Sequence, residues 1–513
     1  MAAAPFRIVI VGGGTAGWMC AAGLVRLLAL TDYDLTLIES DAIGTVGVGE
    51  ATLPHIKNFN DMLGIDEAQF LRDTRGTFKL GIEFVGWDRP GEAYVHPFGT
   101  FGEPWASVDF QHHWARAMLA GEAVGSLQEY SFAVAAAKAG AFELPNEDPK
   151  SIHSTYAYAY HFDATLYAHF LRGWATARGV KRIEGQVIDI TRDPASGHVS
   201  TLRLESGAEI GGDLFVDCSG FRALLVGGTM GVGWHDWSEW LPCDRALAVP
   251  CASAAELTPF TRSTARRGGW QWRIPLQHRI GNGHVFSSAF CSEQEASDTL
   301  LANLDGPALG EPRLLRFQAG RRARAWEGNV VAIGLSSGFL EPLESTSIFL
   351  IQAAVVDLAN LMPARGGGVD ARLAAEFNRL FEVHCDRTRV FLVLHYAANR
   401  RHGEPLWDHV RNMTLPDSLA HKIALFRESA AAPDYKLGLF SRDSWLAVLE
   451  GQGVLPRSYN RLAERIPMAE LVEKLAELRD YIRLNAVAMG SHAEFIAGYC
   501  DAGASGAGAM VAA

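Results

Sequence analysis

Paired cysteines, a basic excess and a long apolar run are all missing from this sequence of 513 residues. Its seven cysteines, Cys20, Cys218, Cys243, Cys251, Cys291, Cys385 and Cys500, are scattered without a CxxC pair. Neither a disulfide framework nor a zinc site is expected from such spacing, and a reducing cytoplasm fits. Lys and Arg number 46 against 58 Asp and Glu, a formal net charge of −12. Nucleic acid is thereby excluded as a partner, because binding phosphates needs a basic face. No stretch of about 18 apolar residues occurs, so no membrane span is expected. Met1 leads almost directly into a strand, without a charged-then-apolar leader. Internal repeats are missing too, as is a second glycine-rich strand–turn–helix for a nicotinamide cofactor.

What is present is a globular composition, 48% hydrophobic and 20% charged, on a chain long enough for two or more packed units. Phe6 to Val11 reads as a strand that breaks at Gly12-Gly13-Gly14-Thr15-Ala16-Gly17 and resumes as a helix, Trp18 to Leu30. A second strand, Asp34 to Ile38, ends at Glu39. Strand, GxGxxG, helix, strand and acid in this order form a dinucleotide fingerprint. Gly12 permits the tight turn, Gly14 lets backbone approach a pyrophosphate, Gly17 allows close helix packing, and Glu39 suits a ribose hydroxyl. After Ser40 the chain does not proceed to a third strand. The glycine-rich segment Ile43 to Pro54 follows, as a flavin lying across the domain requires. Strands at Val187 to Ile190, Leu202 to Leu204 and Asp213 to Asp217 are expected to return the chain to the first sheet, and FAD is favoured.

The stretch from Gly328 to Leu361 supplies a third piece: a short strand, Val330 to Ile333, a turn at Gly334 to Gly338, and a helix from about Ser345. A helix start presents free N–H groups and partial positive charge to an anion or a flavin carbonyl. Glu341 and Glu344 just before it are either acids complementing the helix dipole or reactive groups. Elsewhere, Phe78 to Phe84 alternates like one strand with Lys79 and Leu80 on opposite faces. Lys79 on a half-buried strand would ordinarily face solvent. His96 and Phe98 lie in an aromatic-rich loop, and Trp270 and Trp272 stand two apart on a strand, facing one way as a wall. Ala371 to Ala398 reads as a long helix. Leu471, Leu475, Leu478 and Ile482 carry helical spacing over Met468 to Leu484.

Four motifs coincide here: the GxGxxG, Gly47-Val-Gly-Glu-Ala-Thr52, Trp270-x-Trp272-x-Ile274-Pro275, and Glu341-Pro-Leu-Glu344-Ser-Thr346. Together they resemble the flavin-dependent tryptophan and indole halogenases, from about residue 6 to at least Tyr459. The resemblance implies an α/β (α+β) fold, with a Rossmann-like FAD-binding domain of the glutathione-reductase and aromatic-hydroxylase type. It also implies an interleaved substrate-binding sheet and a mainly helical C-terminal part. The expected division is a core over 5–395, a helical region over 396–500 packing above the substrate site, and a disordered tail over 501–513.

Lys79 falls where that family has its catalytic lysine, and Glu344 matches its catalytic glutamate. His96 and Phe98 match residues that sandwich the indole, and Trp445 matches a substrate-binding tryptophan. Thr346 and Ser347 stand where backbone N–H groups hold the halide. Gly14, Thr15, Ala16, Ser40, Glu50, Ala51, Val187, Leu335 and Ile348 match flavin contacts. The implied reaction takes reduced FAD from a separate NAD(P)H-dependent flavin reductase, with oxygen and chloride or bromide, and makes hypohalous acid. Lys79 hydrogen-bonds it or forms a haloamine, for which desolvation would depress the lysine pKa. Glu344 stabilises the cationic ring and accepts its proton.

Two departures stand out. Position 347 is Ser, where tryptophan-processing members carry Gly. The paired-tyrosine lid and acid that clamp free tryptophan are missing from Tyr435 to Trp445. The expected substrate is free indole, a simple derivative or a larger indole-bearing molecule. The runner-up reading, an FAD-dependent aromatic monooxygenase, needs neither Lys79 nor the two tryptophans.

Overall fold

The computed structural model describes residues 4–42, 49–253, 257–363, 368–435 and 439–504. Of the glycine-rich segment after Ser40, residues 43–48 therefore lie outside the described residues. Two compact units emerge. The first gathers residues up to Arg75, Phe162–Ser238 and Phe317–Asp386; the second gathers Gly76–His161, Glu239–Arg316 and residues from Arg387 onward. Among the described residues no helix is long and apolar enough to cross a membrane.

In the first unit a six-stranded sheet runs in the order Trp326–Glu327, Val330–Ala332, Leu214–Asp217, Phe6–Val11, Tyr33–Glu39, Lys181–Glu184. All pairings are parallel except the edge pair of Trp326–Glu327 with Val330–Ala332. Parallel strands are buried on both faces, which is why Phe6–Val11 and Leu214–Asp217 are almost wholly apolar and buried. The chain winds outward from Phe6–Val11 in one direction and later in the other. Such an order reversal leaves a crevice at the carboxyl ends of the strands, where this Rossmann-like arrangement takes its ligand.

Two expectations about this sheet need correction. Val187–Arg192 and Val199–Leu204 do not join it; with Glu209–Gly211 they form a separate three-stranded antiparallel sheet. Leu202 and Leu204 face a core shared with Val9, Val11 and Phe215, so their apolar pattern signals packing onto the first sheet rather than membership of it. The third parallel strand on the Tyr33–Glu39 side is Lys181–Glu184, too polar to read as a buried strand.

The second unit is built on a seven-stranded sheet ordered Arg313–Arg316, Arg245–Cys251, Ile280–Phe286, Gly269–Pro275, Thr261–Arg266, Gly81–Val85, Ala93–Pro97. Only Thr261–Arg266 with Gly81–Val85 is parallel. The expected single strand over Phe78 to Phe84 is two: Thr77–Lys79 pairs with residues Ala159 to His161, and Gly81–Val85 belongs to the large sheet. The chain changes sheets at Leu80, whose N–H donates to the Pro259 carbonyl and whose carbonyl accepts from Phe98 N–H. Alternation cannot continue through such a crossing, and Lys79 and Leu80 are both fully buried. Helix Ala371–Ala397 matches its expected span, and Met468–Ala488 starts as expected but runs four residues past Leu484. The helix His492–Ala504 carries regular structure past residue 501, where disorder was expected; the remainder of the tail lies outside the described residues.

Asp217, at the end of a central strand, fixes the crevice floor. Its carboxylate accepts from the N–H groups of Ser219 (3.0 Å), Leu225 (2.8 Å) and Val226 (2.9 Å). Removing it orphans three buried or part-buried donors, each costing about 1 kcal/mol or more. Asp217→Ala is therefore expected to lose about 3 kcal/mol of unfolding free energy, read from the urea midpoint of the purified protein.

Candidate functional site

At the crevice, backbone geometry explains the glycines. Gly12 has φ +115°, and a Cβ there would lie 2.3 Å from the Cys218 carbonyl oxygen. A Cβ on Gly17 would lie 1.8 Å from the Gly12 carbonyl oxygen, and one on Gly13 would strike the Glu39 carboxylate. A Cβ on Gly14, by contrast, meets nothing within 4 Å. Gly14 is the residue that starts helix Thr15–Leu27, so no side chain covers the helix's first N–H groups from that position. This cradle fits the pyrophosphate of a dinucleotide.

Glu39 is held where the fingerprint requires an acid. One oxygen accepts from Arg182 Nε at 2.5 Å and the other from the Trp18 indole at 3.1 Å, and Arg172 stands 3.4 Å away. The arginines were not anticipated, because neither is near the fingerprint in sequence. Gly334, φ +80°, closes the same end: a Cβ would meet Ala16 at 2.7 Å and Ile351 at 3.7 Å. The turn at Gly334–Ser336 thus lies against the start of helix Thr15–Leu27 and against helix Ser347–Asn360. Val187 packs on the core under the sheet, and Ser40 follows Glu39. Glu50 and Ala51 form the strand Gly49–Ala51.

Glu344 ends a single helical turn, Pro342–Glu344, and Ser345 then adopts a left-handed backbone, φ +57°. That reversal starts the helix Ser347–Asn360 in a new direction, with Thr346 as its cap residue. Thr346 is fully buried, and its hydroxyl has no hydrogen-bond partner among the described residues. Glu341 and Glu344 are both fully buried and neither caps a helix by its side chain. Full burial sets Glu341 apart from an exposed first-turn acid, while it still stands at the start of the turn Pro342–Glu344.

In the second unit Lys79 has no solvent exposure, against the ordinary expectation for a strand lysine. Its Nζ lies 5.1 Å from the centre of the Phe98 ring. His96 and Phe98 are both buried, 6.4 Å apart and steeply inclined at 77°. Two rings at that spacing and angle leave no slot for a third between them, so a ring held by them needs its other face covered by different side chains. The opposite rings were missed from sequence. Phe391 and Phe440 stack at 3.8 Å, Phe391 meets the Trp445 edge at 5.2 Å, and His96 is 5.6 Å from Phe391. Phe440 stood in plain view five residues before Trp445, whereas Phe391 is hidden in a helical pattern. Trp270 and Trp272 do share one face of Gly269–Pro275, their rings 6.1 Å apart. Trp270 packs on Trp87 within a core, and Trp272 covers Gly283 so closely that a Cβ there would sit 2.1 Å from its ring.

A tryptophan halogenase profile matches residues 7–468. Tryptophan 6-halogenase of Streptomyces toxytricini is 36% identical over 526 residues, covering 96% of this chain and 98% of that protein. The solved structure of a flavin-dependent halogenase from Brevundimonas sp. BAL3 aligns with TM-score 0.92 at 43% identity, over 97% of this chain and 99% of the other. A flavin-dependent halogenase from Xanthomonas campestris aligns with TM-score 0.92 at 45% identity, over 97% and 98%.

The chain belongs to the tryptophan halogenase family. It is a flavin-dependent halogenase, and the monooxygenase alternative is not favoured. This halogenase carries its dinucleotide cradle, its helix start and Glu344 on the first unit, while Lys79 and the aromatic wall belong to the second. Burial pushes the Glu50 carboxyl up from 4.5 to about 7. Between these values the folded state holds a proton that the unfolded chain has released, so stability falls as pH rises through that window. Glu50→Gln is expected to flatten this loss, seen as a smaller drop in Tm between pH 5 and pH 8 for the flavin-free protein.

Proposed function

We propose that this halogenase places chloride or bromide on an indole-type aromatic ring, that free tryptophan is a poor substrate, and that Lys79 and Glu344 are its catalytic residues. Reduced FAD, delivered by a separate NAD(P)H-dependent flavin reductase, supplies with oxygen the oxidation of halide to hypohalous acid. Gly12, Gly14, Thr15, Ala16 and Gly17 would hold its pyrophosphate, Glu39 and Ser40 its adenosine, and Glu50, Ala51, Val187, Leu335 and Ile348 the rest.

The halide is assigned to the N–H groups of Thr346 and Ser347. A helix start needs no cationic side chain to hold an anion, and the unpartnered buried hydroxyl of Thr346 supports the assignment. The observation that carries the reading is the complete burial of Lys79 beside the Phe98 ring. A lysine there delivers halogen in a water-poor site, where a diffusing oxidant would otherwise escape. The substrate carbon takes the halogen while the hydroxide of hypohalous acid takes a proton from the Lys79 ammonium and leaves as water; the ring proton released afterwards replaces it. Glu344 takes the ring proton, and its carboxylate stabilises the cation before that. His96, Phe98 and Trp445 offer the ring its flat contacts, and Trp270 and Trp272 keep the substrate away from the flavin. Tyr435, the single tyrosine of the lid segment, has cations over its ring: Arg387 at 4.6 Å and Lys422 at 5.6 Å.

With a flavin reductase, NADH and bromide, indole is expected to give a product bearing the bromine isotope pair, with turnover above that of tryptophan. Faster turnover of tryptophan than indole would overturn the substrate assignment. Lys79→Ala is expected to abolish halogenated product, and Glu344→Gln to lower kcat about 100-fold or more. Both are read by mass spectrometry at saturating indole.

A further inference from the structure

The strand that carries Lys79 is fastened at its first two residues, Thr77 and Phe78, by groups that no step above uses. Thr77 Oγ donates to the Pro275 carbonyl at 2.8 Å, and lies 2.9 Å from His161 Nδ1. Its one proton is committed to Pro275, so it accepts from His161 Nδ1–H. His161 Nε2 is then an acceptor, and the Thr261 hydroxyl donates to it at 3.0 Å. The next residue, Phe78, donates its N–H to His492 Nε2 at 3.1 Å, and His492 Nδ1 donates to the Leu257 carbonyl at 2.7 Å. The Phe78 ring stacks on Phe142 at 4.1 Å and meets Phe495 and Tyr499, on the same helix as His492, at 5.5 and 5.8 Å. Lys79 follows, with its Nζ against Phe98.

Both imidazoles have no solvent exposure. Each ring has one nitrogen donating and the other accepting, an arrangement open only to neutral histidine. Burial drives His161 well below its usual value, with Lys79, His492 and Arg273 adding repulsion. Burial takes His492 down to about 4. Near neutral pH each tautomer is therefore locked by its partners, and neither adds a positive charge beside Lys79.

We infer that His161 and His492 are positioning residues of the halogenation step: through Thr77 and Phe78 they fix where the Lys79 ammonium stands. The inference rests on the reading of Lys79 as the residue that handles the oxidised halogen. It gives the C-terminal helix His492–Ala504 a part in catalysis, at 413 residues' remove in sequence from the lysine it steadies (492 − 79). It also ties the tryptophan strand to that lysine, because Pro275 ends Gly269–Pro275 and accepts from Thr77. A lysine displaced by an ångström passes less halogen to the ring and lets more escape, an effect on the order of tenfold or more.

The test separates delivery from oxidation. Enzyme, reductase, NADH, bromide and indole are combined with a diffusible β-diketone trap, and bromoindole is compared with brominated trap. His492→Leu is expected to shift this ratio toward the trap by about tenfold while total oxidised bromide stays within about twofold. His492→Gln, whose amide both accepts and donates, is expected to recover most of the ratio. An unchanged ratio in His492→Leu with a lowered Tm would overturn the inference, leaving His492 a stability residue only. A folded His492→Gln that fails to improve on His492→Leu would overturn it as well. Should His492→Leu not fold, Thr77→Val, nearly isosteric and lacking the hydroxyl, carries the same expectation and the same refutation. Lys79→Ala in the same assay judges the parent reading separately: a ratio like that of the unaltered enzyme would remove the lysine's role whatever His492 shows.

Discussion

Burying a lysine is the constraint on which the second unit is organised. An ammonium group taken out of water costs several kcal/mol even after relaxation, and a free side chain would move to recover that energy. The Lys79 side chain has no exposure, and the strand that carries it is held in register with residues Ala159 to His161. Thr77 and Phe78 before it are fixed by a hydroxyl and a backbone N–H, each through a different partner. The Phe98 face adds a cation–π contact, worth about 2 kcal/mol when desolvated. Neutral histidines serve better than charged groups in this setting, because any further cation would raise the cost already incurred.

The first unit solves a different problem, which is to bring backbone close to a phosphate. Its answer is removal of side chains. Gly12 and Gly17 approach each other and Cys218 within distances that no Cβ allows, while Gly14 leaves its space empty. Gly334 does the same from the other side, against Ala16. The buried Asp217 carboxylate then ties the loop after the central strand to the strand's own end. At the second helix start, Ser345 in a left-handed conformation turns the chain between Glu344 and Thr346. Non-glycine residues seldom accept that geometry, and they do so mostly where function needs an awkward direction.

How much could be read beforehand varied by the kind of signal. The GxGxxG order, Glu39 and the apolar strands were legible because they are local: backbone needs and burial write themselves into adjacent residues. Trp270 and Trp272 were legible as one face because strands repeat every two residues. The continuity of Phe78 to Phe84 was misread, since nothing in alternation marks the point where a chain leaves one sheet for another. Lys181–Glu184 escaped notice because an edge strand of a parallel sheet can be as polar as a loop. Arg182, Phe391, His161 and His492 were invisible as site residues, each meeting its partner only across long sequence separation.

The sequence by itself determined the fold class, the flavin fingerprint and the family, because these depend on short-range spacing and on motifs that keep their order. It also supplied every residue type the chemistry needs. Only the tertiary structure decided that Lys79 is buried rather than solvated, that His96 and Phe98 leave no slot between their rings, and that Glu341 and Glu344 are both fully buried. Burial and ring orientation depend on what other segments bring alongside, and no local pattern encodes the neighbour that arrives from 400 residues away.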